Sequence, residues 1–561
     1  MTRPNNQSIE EHLQSLHLQE EEDLALTLSK KYNLPYLKLD AVSVETSALL
    51  LVDEQEAREA ELVTFQMVGK KVKVAIRNPN SLQAQHILER LKQKHFQSEI
   101  YMVSRHGLEH AWEKYKEAQA AQALPSGLVV LDDKILPPEI QTIRTIQQLQ
   151  EILEPLTAAD EERRLSLTLE VMLKAGLMLD VSDIHIKPED QNTRLRIRID
   201  GVLHDVLFFS TRVYNLLLSR IKLLSGIKLN IKKEPQDGRF TIRGGGDEDI
   251  EVRASTLPDA YGESVVLRIL SPKLISLSLE ELGMQRPILE LVKSELKKPN
   301  GMILTTGPTG AGKTTTLYAF IKHIDTPEIN IITIEDPIEY HLRGINQSQV
   351  NEEQGYTFST GLRSIVRQDP DVILVGEIRD LETAEIAMHA SLTGHLVFST
   401  LHTNNAPGTI PRLLDLGVKP NIIAPATNVA MAQRLVRRLC TVCRDPYTPE
   451  GDELRFAQEV LADLPAPFAQ PDLSAPKLWR ARGCDSCGGI GYKGRISIFE
   501  VFLINDEIER LILQTPSEAE IRDAAKRQGM LTMQQDGVLK TFSGITALEE
   551  VMRATGEAKE G

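Results

Sequence analysis

The segment GPTGAGKT at positions 307–314 has residue types and a spacing that suit phosphate chemistry. It matches the pattern G-x-x-x-x-G-K-[ST], in which glycines let backbone N–H groups surround phosphate oxygens. Lys313 would bring a positive charge to the β- and γ-phosphates, and the Thr314 hydroxyl would bind Mg²⁺. An ordinary glycine-rich turn is the alternative, but an apolar run precedes the segment and a periodic helix follows it, as a phosphate loop requires. The predicted nucleotide-binding residues are Gly307, Pro308, Thr309, Gly310, Ala311, Gly312, Lys313, Thr314 and Thr315.

Acidic residues follow two later apolar runs. Glu335, Asp336 and Glu339 come after INIITI, and Glu377 comes after VILV. Triphosphate hydrolysis needs a carboxylate near Mg²⁺ and a group that orients or deprotonates the attacking water. We expect Glu377 to act on Mg²⁺ or its water and Glu339 to activate the nucleophilic water, although the two roles could be exchanged. An acid at a strand end can instead cap a helix, and this reading suits Asp380.

Two histidines flank the fourth apolar run, in GHLVFSTLHTN. His395 precedes the run and His402 follows it. An imidazole at this edge could hydrogen-bond a phosphate or relay its presence to a neighbouring subunit. The alternative is a histidine satisfied inside the core. His402 is kept as a candidate site residue.

All four cysteines occur in two C-x-x-C pairs, Cys440 with Cys443 and Cys484 with Cys487. Four thiolates complete one tetrahedral Zn²⁺ site with no open position, so the predicted role of the metal is structural. The 40 residues between the pairs are tolerable, because loop length changes closure entropy only slowly. A redox dithiol and incidental buried thiols are the alternatives.

Four nearly continuous apolar runs, GMILTTG, INIITIE, DVILVGE and HLVFST, alternate with helical segments after about position 276. Runs that are apolar on both faces are typical of a buried parallel sheet. Between about 160 and 270, a helical segment precedes alternating strands, which predicts an α+β domain with a largely antiparallel sheet. The first 120 residues mix helical and strand patterns, which indicates a small α/β module.

Composition argues against several classes of protein. The chain has 561 residues, 64 Lys plus Arg and 79 Asp plus Glu, and a net charge of −15. This sign repels phosphate backbones on average, so no nucleic-acid partner is expected. A short basic cluster, Arg434 with Arg437 and Arg438, is interpreted as a solvated or intersubunit face. No apolar run reaches the ~20 residues that span a bilayer, and the start of the sequence lacks a signal peptide, so a cytosolic protein is expected.

Taken together, four segments resemble the secretion ATPase superfamily, specifically its type IV pilus assembly and type II secretion branch. GPTGAGKTTTLYA is similar to the Walker A segment of that family, TIEDPIE to its aspartate box, RQDPDVILVGEIRDLETAEIA to its Walker B signature and TGHLVFSTLHTN to its histidine box. The segments occur in the family's order. The resemblance covers about residues 165 to 555 and implies ATP hydrolysis with Mg²⁺. Tetracysteine inserts of this kind occur in the assembly and secretion members and are generally missing from the retraction members.

The resemblance also carries implications about the region before the core. SDIHIKP, RIDGVL, PQDGRF and VRASTLPDAYGESVVLRIL are similar to the domain that supplies arginines to bound nucleotide in this family. On this basis Arg253 and Arg268 are predicted to neutralise charge on the transferring phosphoryl group, a role that can be worth ~10³ to 10⁵ in rate. Exposed strand residues of no catalytic role are the alternative.

Further expectations concern assembly and partners. Members of the family work as hexamers and deform or turn an inner-membrane platform protein, so a homohexamer at the inner face of the cytoplasmic membrane is expected, peripheral to the membrane through its partners. LSKKYNLPYLKLD resembles a stretch of the family's N-terminal domains, whose expected use is docking to a membrane-associated protein. Some relatives bind cyclic diguanylate there through repeated Arg-Leu-Gly segments. This sequence lacks those segments, so the ligand is not predicted.

The predicted fold class is α/β: a RecA-like phosphate-loop core with a preceding α+β domain, a small zinc-binding insert and an N-terminal α/β domain. The predicted domains are 1–120, for partner docking; 121–144, a linker; 145–275, the α+β domain; and 276–561, the ATPase domain, with the cysteine subdomain at 440–495 and C-terminal helices at 496–561. The resemblance implies an ATP-hydrolysing hexameric motor for type IV pilus assembly or type II protein secretion, and two further functions stay open. One is a DNA-uptake or conjugation ATPase of the same superfamily, and the other is a nucleotide-dependent scaffold that does not hydrolyse ATP.

Overall fold

The structure is a computed structural model that describes residues 6–42, 44–68, 70–94, 96–122, 127–131, 136–158, 162–244, 249–271 and 277–556. Two units are present, Met1–Leu128 and Val129–Gly561. The division falls inside the predicted linker. The second unit contains both the predicted α+β domain and the predicted ATPase domain.

The first unit has a three-stranded sheet in the order β1-β2-β3, with β1 antiparallel and β3 parallel to β2. Its elements are α1 (Asn6–Tyr32), α2 (Thr46–Leu49), α3 (Glu54–Glu59), β1 (Leu62–Val68), β2 (Lys71–Ile76), α4 (Leu82–Gln93), β3 (Gln97–Met102) and α5 (Arg105–Gln122). The Tyr115 hydroxyl on α5 lies within hydrogen-bonding distance of the carbonyls of Leu49 (3.0 Å) and Val52 (2.9 Å), which joins α5 to the α2 region. The small α/β module predicted from the sequence is confirmed.

The second unit begins with a seven-stranded sheet in the order β4-β8-β9-β10-β5-β6-β7, whose long strands pair antiparallel. Its elements are β4 (Leu128–Val130), α6 (Ile146–Thr157), α7 (Glu162–Met178), β5 (Val181–Pro188), β6 (Thr193–Ile199), β7 (Val202–Phe209), α8 (Thr211–Leu224), β8 (Gln236–Arg243), β9 (Ile250–Asp259) and β10 (Gly262–Leu270). On β6, buried residues alternate with half-buried ones along the whole strand. This alternation is the pattern from which the sheet was predicted.

The linker predicted at 121–144 differs from the structure. Positions 123–126 and 132–135 of it lie outside the described residues. Of the remainder, β4 pairs with β8 at the edge of the sheet, and Ile140 and Ile143 are buried in the core of the α+β region. These apolar side chains join a core made of helices and strands from the whole region, which local composition could not show. The domain boundary predicted between positions 275 and 276 lies within 272–276, a segment outside the described residues.

The third sheet is parallel over six strands, in the order β13-β12-β14-β15-β11-β16-β19, and β19 is antiparallel to β16. Its strands are β11 (Gly301–Thr306), β12 (Ile331–Glu335), β13 (Asn346–Gln349), β14 (Val372–Val375), β15 (Leu396–Leu401), β16 (Thr427–Leu439) and β19 (Tyr492–Leu503), and the helices that precede or connect them are α9 (Arg286–Glu295), α10 (Lys313–Ile324), α11 (Phe358–Ile365), α12 (Leu381–Leu392), α13 (Thr409–Asp415) and α14 (Pro420–Ala426). Every residue of β11, β12, β14 and β15 is buried. The four strands predicted from continuous apolar runs are therefore confirmed.

The Asp380 carboxylate accepts from Thr383 N–H (2.8 Å) and caps α12, as expected.

The C-terminal region contains more regular structure than predicted. The segments between β16 and β19 are β17 (Asp445–Tyr447), α15 (Gly451–Leu461) and β18 (Leu478–Arg480), and those after β19 are α16 (Asp506–Ile512), α17 (Glu518–Arg527), α18 (Met533–Phe542) and α19 (Leu548–Thr555). The cysteine subdomain predicted at 440–495 therefore contains a helix, α15, as well as its two short strands. The helices expected from 496 begin only at Asp506, because 496–503 belong to β19.

No helix among the described residues is long and apolar enough to cross a membrane.

Candidate functional site

The glycine-rich loop joins β11 to α10, as the sequence predicted. Gly307, Gly310 and Gly312 have φ angles of +147°, +80° and +88°, which side chains rarely adopt. A Cβ atom on Gly307 would also lie 2.7 Å from the backbone oxygen of Gln433 on β16. The loop is therefore pressed against the neighbouring strand, and glycine is required where it touches.

Lys313 is the first residue of α10, so its ammonium lies at the end of a helix whose first backbone N–H groups have no partner within the helix. Its Nζ donates to the carbonyls of Gly307 (2.7 Å) and Pro308 (3.2 Å). Burial lowers the pKa of Lys313, the negative charge of Glu377 opposes this and the positive charge of Arg434 adds to it. The free N–H groups and the cation together form a place for a polyanion.

Glu377 lies immediately beyond β14 and contacts the side chains of Arg379 and His402. Its carboxylate forms an ion pair with Arg379, and Oε2 lies 3.2 Å from Nε2 of His402. Burial acts to raise the pKa of Glu377, but the hydrogen bonds from Arg379 and His402 bring it below its usual range. The carboxylate is therefore charged and held in one orientation, with its side chain 16% exposed.

Hydrogen bonds between strand ends fix the position of this carboxylate. Gly376 N–H donates to the carbonyl of Ile334 on β12 (2.8 Å), and the Thr400 hydroxyl of β15 donates to the Gly376 carbonyl (2.8 Å). On the other side of β15, Thr403 N–H donates to the hydroxyl of Thr306 (2.7 Å), at the end of β11. The ends of β12, β14, β15 and β11 are thus linked at one edge of the sheet.

A second group of predicted residues lies between the antiparallel and parallel sheets. Arg253 on β9 donates to the Glu339 carboxylate (3.0 Å) and to the carbonyl of Ile338. Arg268 lies opposite Arg253 in the β9–β10 register and donates to Asp183 (2.9 Å). Among the described residues, neither arginine pairs with a residue of the glycine-rich loop. The predicted arginines and Glu339 therefore meet each other but not Lys313.

The remaining acids and histidines of these segments have separate surroundings. Glu335 is buried and accepts from Tyr318 (2.5 Å) and Thr333 (2.7 Å), which indicates a structural role. The Asp336 carboxylate lies 3.5 Å from the guanidinium of Arg379, which also pairs with Glu377. His395 places Nδ1 2.8 Å from the carbonyl of Ala390, at the end of α12. Of the two histidines, only His402 contacts the candidate site.

The four cysteines come together as predicted. Their sulfur atoms lie within 4.8 Å of one another, with separations of 3.9 Å for Cys440–Cys484, 3.8 Å for Cys443–Cys487 and 3.8 Å for Cys484–Cys487. Four sulfurs bound at ~2.3 Å to one tetrahedral Zn²⁺ would be about 3.8 Å apart. The N–H groups of Cys484 and Gly491 lie 3.2 Å from the sulfur of Cys487, where they would stabilise a thiolate. The cluster is compatible with a single metal ion.

A protein family and several curated relatives match most of this chain. The family described as "Type II/IV secretion system protein" matches residues 158–553, and the MshEN domain matches residues 32–122. The chain belongs to the type II/IV secretion system protein family. Among curated relatives, it is 36% identical over 537 residues to the type IV pilus assembly ATPase PilB of Myxococcus xanthus, covering 96% of this chain and 91% of that protein. It is 45% identical over 404 residues to the type II secretion system protein E of Pseudomonas aeruginosa, covering 72% and 78%.

A solved structure supports the fold. The X-ray structure of the Legionella pneumophila ATPase DotB superposes with a TM-score of 0.50 at 20% identity, over 70% of this chain and 95% of that one. The predicted RecA-like core and the predicted family are confirmed. Like its relatives in this secretion family, the chain is an ATPase.

Sequence reasoning missed two residues beside the loop. The Gln433 side chain on β16 is fully buried and donates to the carbonyl of Ala311 (2.7 Å). Arg379 holds the Glu377 carboxylate. The glutamine could have been noticed, because it is a polar residue inside the apolar run NVAMAQRLV. The arginine gave no such signal, since an exposed arginine after an acid is ordinary.

Replacing Thr306 with valine tests the link between β11 and β15. The change leaves the N–H of Thr403 without its acceptor and removes the hydrogen bond to the Leu401 carbonyl (3.1 Å). We expect the free energy of unfolding to fall by ~1–3 kcal/mol, because a half-buried donor loses its partner. Urea unfolding followed by circular dichroism measures the loss.

Thr305→Val is the matched control for that experiment. Thr305 is the preceding residue of β11, equally buried, and its hydroxyl has no hydrogen-bond partner among the described residues. The control should therefore be neutral or slightly stabilising. Equal destabilisation by both substitutions would contradict the role given to the Thr306 hydroxyl.

Proposed function

We propose that the chain is the ATP-hydrolysing motor of type IV pilus assembly. One observation carries the proposal: in a member of the secretion ATPase family, the glycine-rich loop, Lys313 and the hydrogen-bonded pair of Glu377 and His402 lie at the same edge of a parallel sheet. Ligands of α/β sheets bind at such carboxyl edges. A fold kept only for scaffolding would not need a charged, oriented carboxylate beside the loop.

The residues at this edge fit ATP with Mg²⁺. The residues of the loop from Gly307 to Thr315 would surround the phosphates, and Lys313 would neutralise the β- and γ-oxygens. Thr314, half-buried in the first turn of α10, and the charged Glu377 are the proposed Mg²⁺ ligands. Mg²⁺ supplies charge neutralisation on the phosphoryl group. His402 is proposed to orient Glu377 toward it.

Glu339, Arg253 and Arg268 are proposed to act from the second group. Glu339 would activate the attacking water, or exchange this role with Glu377, and the arginines would neutralise the transferring phosphoryl group. Because Arg253 pairs with Glu339 across the two regions, its proposed role requires the α+β region to shift relative to the parallel sheet. Arg268 would exchange Asp183, a residue of its own sheet, for phosphate. A change in angle between the two regions is therefore the proposed mechanical step.

The proposed assembly is a homohexamer at the inner face of the cytoplasmic membrane. Each ring would act on an inner-membrane platform protein, and the first unit would dock to a membrane-associated partner. The MshEN match over residues 32–122 supports a separate docking module. No nucleic-acid partner is proposed, because the net charge of −15 opposes one.

The cysteine cluster is proposed to bind one structural Zn²⁺. The sulfur separations fit a closed tetrahedral site, and the four positions are all taken by protein thiolates. Such a site holds its ligands without taking part in hydrolysis.

Pilus assembly is favoured over type II secretion by one comparison. The pilus assembly ATPase of Myxococcus xanthus aligns over 96% of this chain, which includes the first unit. Type II secretion is the second candidate function, favoured by the higher identity of 45% over a shorter alignment. The two share the proposed chemistry and differ in the filament that the motor builds.

Two substitutions test hydrolysis at the proposed site. Lys313→Ala should abolish measurable MgATP binding, because the phosphates lose their cation. Glu377→Gln should keep binding but lower turnover, because a neutral amide is a weaker Mg²⁺ ligand than a carboxylate. A loss of ~10²- to 10⁴-fold is the size expected if Glu377 takes the general-base role in exchange with Glu339. Coupled-enzyme ATPase assays and nucleotide titration measure both, with oligomeric mass followed by light scattering.

Glu382→Gln is the control for the carboxylate. Glu382 lies on α12, is 56% exposed and pairs with Arg363 on the surface. We expect near-normal turnover from it. Undiminished hydrolysis by Glu377→Gln would refute the proposed role of that residue, and a chain that binds ATP with no turnover in any preparation would favour the scaffold.

Deletion of the gene in its native host separates the two candidate functions. For a pilus assembly motor, surface pili and surface motility should be lost while secreted enzymes stay at normal levels in the medium. Electron microscopy and assays of the culture supernatant provide the readouts. Loss of secreted enzymes with intact pili would instead identify the type II secretion motor.

Removal of one thiolate tests the metal site. The wild-type protein should carry about one zinc per chain, and Cys440→Ser should lose the metal and unfold at a lower temperature, because structural zinc contributes on the order of 10 kcal/mol to holding its ligands. Elemental analysis and thermal unfolding measure the two effects. Val442→Ser is the control, since this residue lies in the same knuckle and is 71% exposed. Fully stable wild-type protein without metal would contradict the proposal.

A further inference from the structure

The three arginines clustered near the end of β16 have different surroundings. Arg437 donates to Glu550 (2.6 Å) and stacks 3.9 Å above the ring of Tyr492. Arg438 is exposed. Arg434 is half-buried and lies closest to the glycine-rich loop. The three arginines, which are neighbours in the sequence, therefore do not form a single basic surface.

Arg434 has no carboxylate partner among the residues that the structure describes. Its Nη2 donates only to Asn404, at 3.3 Å to the carbonyl and 3.4 Å to Oδ1. Both distances are near the outer limit of a hydrogen bond. Burial lowers the pKa of Arg434, with no neighbouring charge to oppose it. A partly desolvated cation of this kind is costly unless an anion joins it.

The position of Arg434 indicates where that anion would lie. It lines a cleft of about 240 Å³ whose other wall is the glycine-rich loop, from Pro308 to Ala311, and Arg553 also lines this cleft. Arg553, the other cation there, already pairs with Glu550 (2.6 Å). The charge of Arg434 also acts on Lys313. Lys313 and Arg434 thus bring two positive charges to the same side of the loop. Arg434 has no carboxylate partner among the described residues.

We infer that Arg434 is a nucleotide-contacting residue whose guanidinium binds the phosphate chain of ATP beside Lys313. The inference rests on the proposed function, because it adds a second cation to the same site. A guanidinium presents several donors in a plane, which suits phosphate oxygens better than a carbonyl does. The Asn404 contact places the arginine next to the turn that carries His402. Bound phosphate would therefore connect β16 to the loop and to this turn.

Nucleotide titration of full-length variants tests the inference. The probes are a slowly hydrolysed ATP analogue with Mg²⁺, and MgADP, each titrated into wild type, Arg434→Gln, Arg434→Lys and Arg438→Gln. Arg434→Gln should weaken binding of the analogue at least tenfold with an unchanged unfolding temperature, and Arg434→Lys should restore part of it. Arg438→Gln, on the same strand but exposed, should bind within twofold of wild type.

Other outcomes overturn the inference in distinguishable ways. Unchanged affinity in Arg434→Gln, with normal binding by wild type, removes the arginine from the site and leaves the proposed function standing. Unchanged affinity with a smaller oligomeric mass assigns Arg434 to a carboxylate of another copy. Weaker binding with a lower unfolding temperature and no rescue by lysine assigns it a structural role. Failure of wild type itself to bind nucleotide refutes the proposed function as well.

Discussion

The hydrogen bonds between strand ends at the carboxyl edge of the parallel sheet are the constraint on which the candidate site depends. The hydroxyl of Thr306 accepts from Thr403 N–H, and the Thr400 hydroxyl donates to the carbonyl of Gly376. These bonds keep the ends of β11, β14 and β15 level. Lys313 and the Glu377–His402 pair follow those ends by only one to seven residues, so a shift of one strand would separate them.

Electrostatics then divides the predicted catalytic residues into two groups. Glu377 is held by Arg379 and His402 beside the glycine-rich loop. Glu339 is held by Arg253, which extends from the antiparallel sheet. An ion pair that joins two sheets can hold their relative position, and exchanging its partner for a phosphate would release it. This arrangement gives the proposed change of angle a specific contact to break.

Strand β16 connects the two candidate sites of the second unit. Gln433 on this strand contacts the glycine-rich loop, and the cysteine cluster begins with Cys440, directly after the strand ends. Six residues of extended chain, at about 3.3 Å each, separate Gln433 from Cys440. A closed metal site at the end of β16 would limit the movement of that strand, and so of the surface on which the loop rests.

Local pattern along the chain was enough to predict several features. Continuous apolar runs predicted the four buried strands, the spacing of glycines and lysine predicted the glycine-rich loop, and the paired cysteines predicted the cysteine cluster. Contacts between distant segments became visible only in the folded chain: Arg253 with Glu339, Arg268 with Asp183, Gln433 beneath the loop, and the packing of Ile140 in the region predicted as a linker. Local pattern is set by backbone geometry within a few residues. The pairing of charged side chains and the burial of particular apolar residues depend on how the whole chain packs.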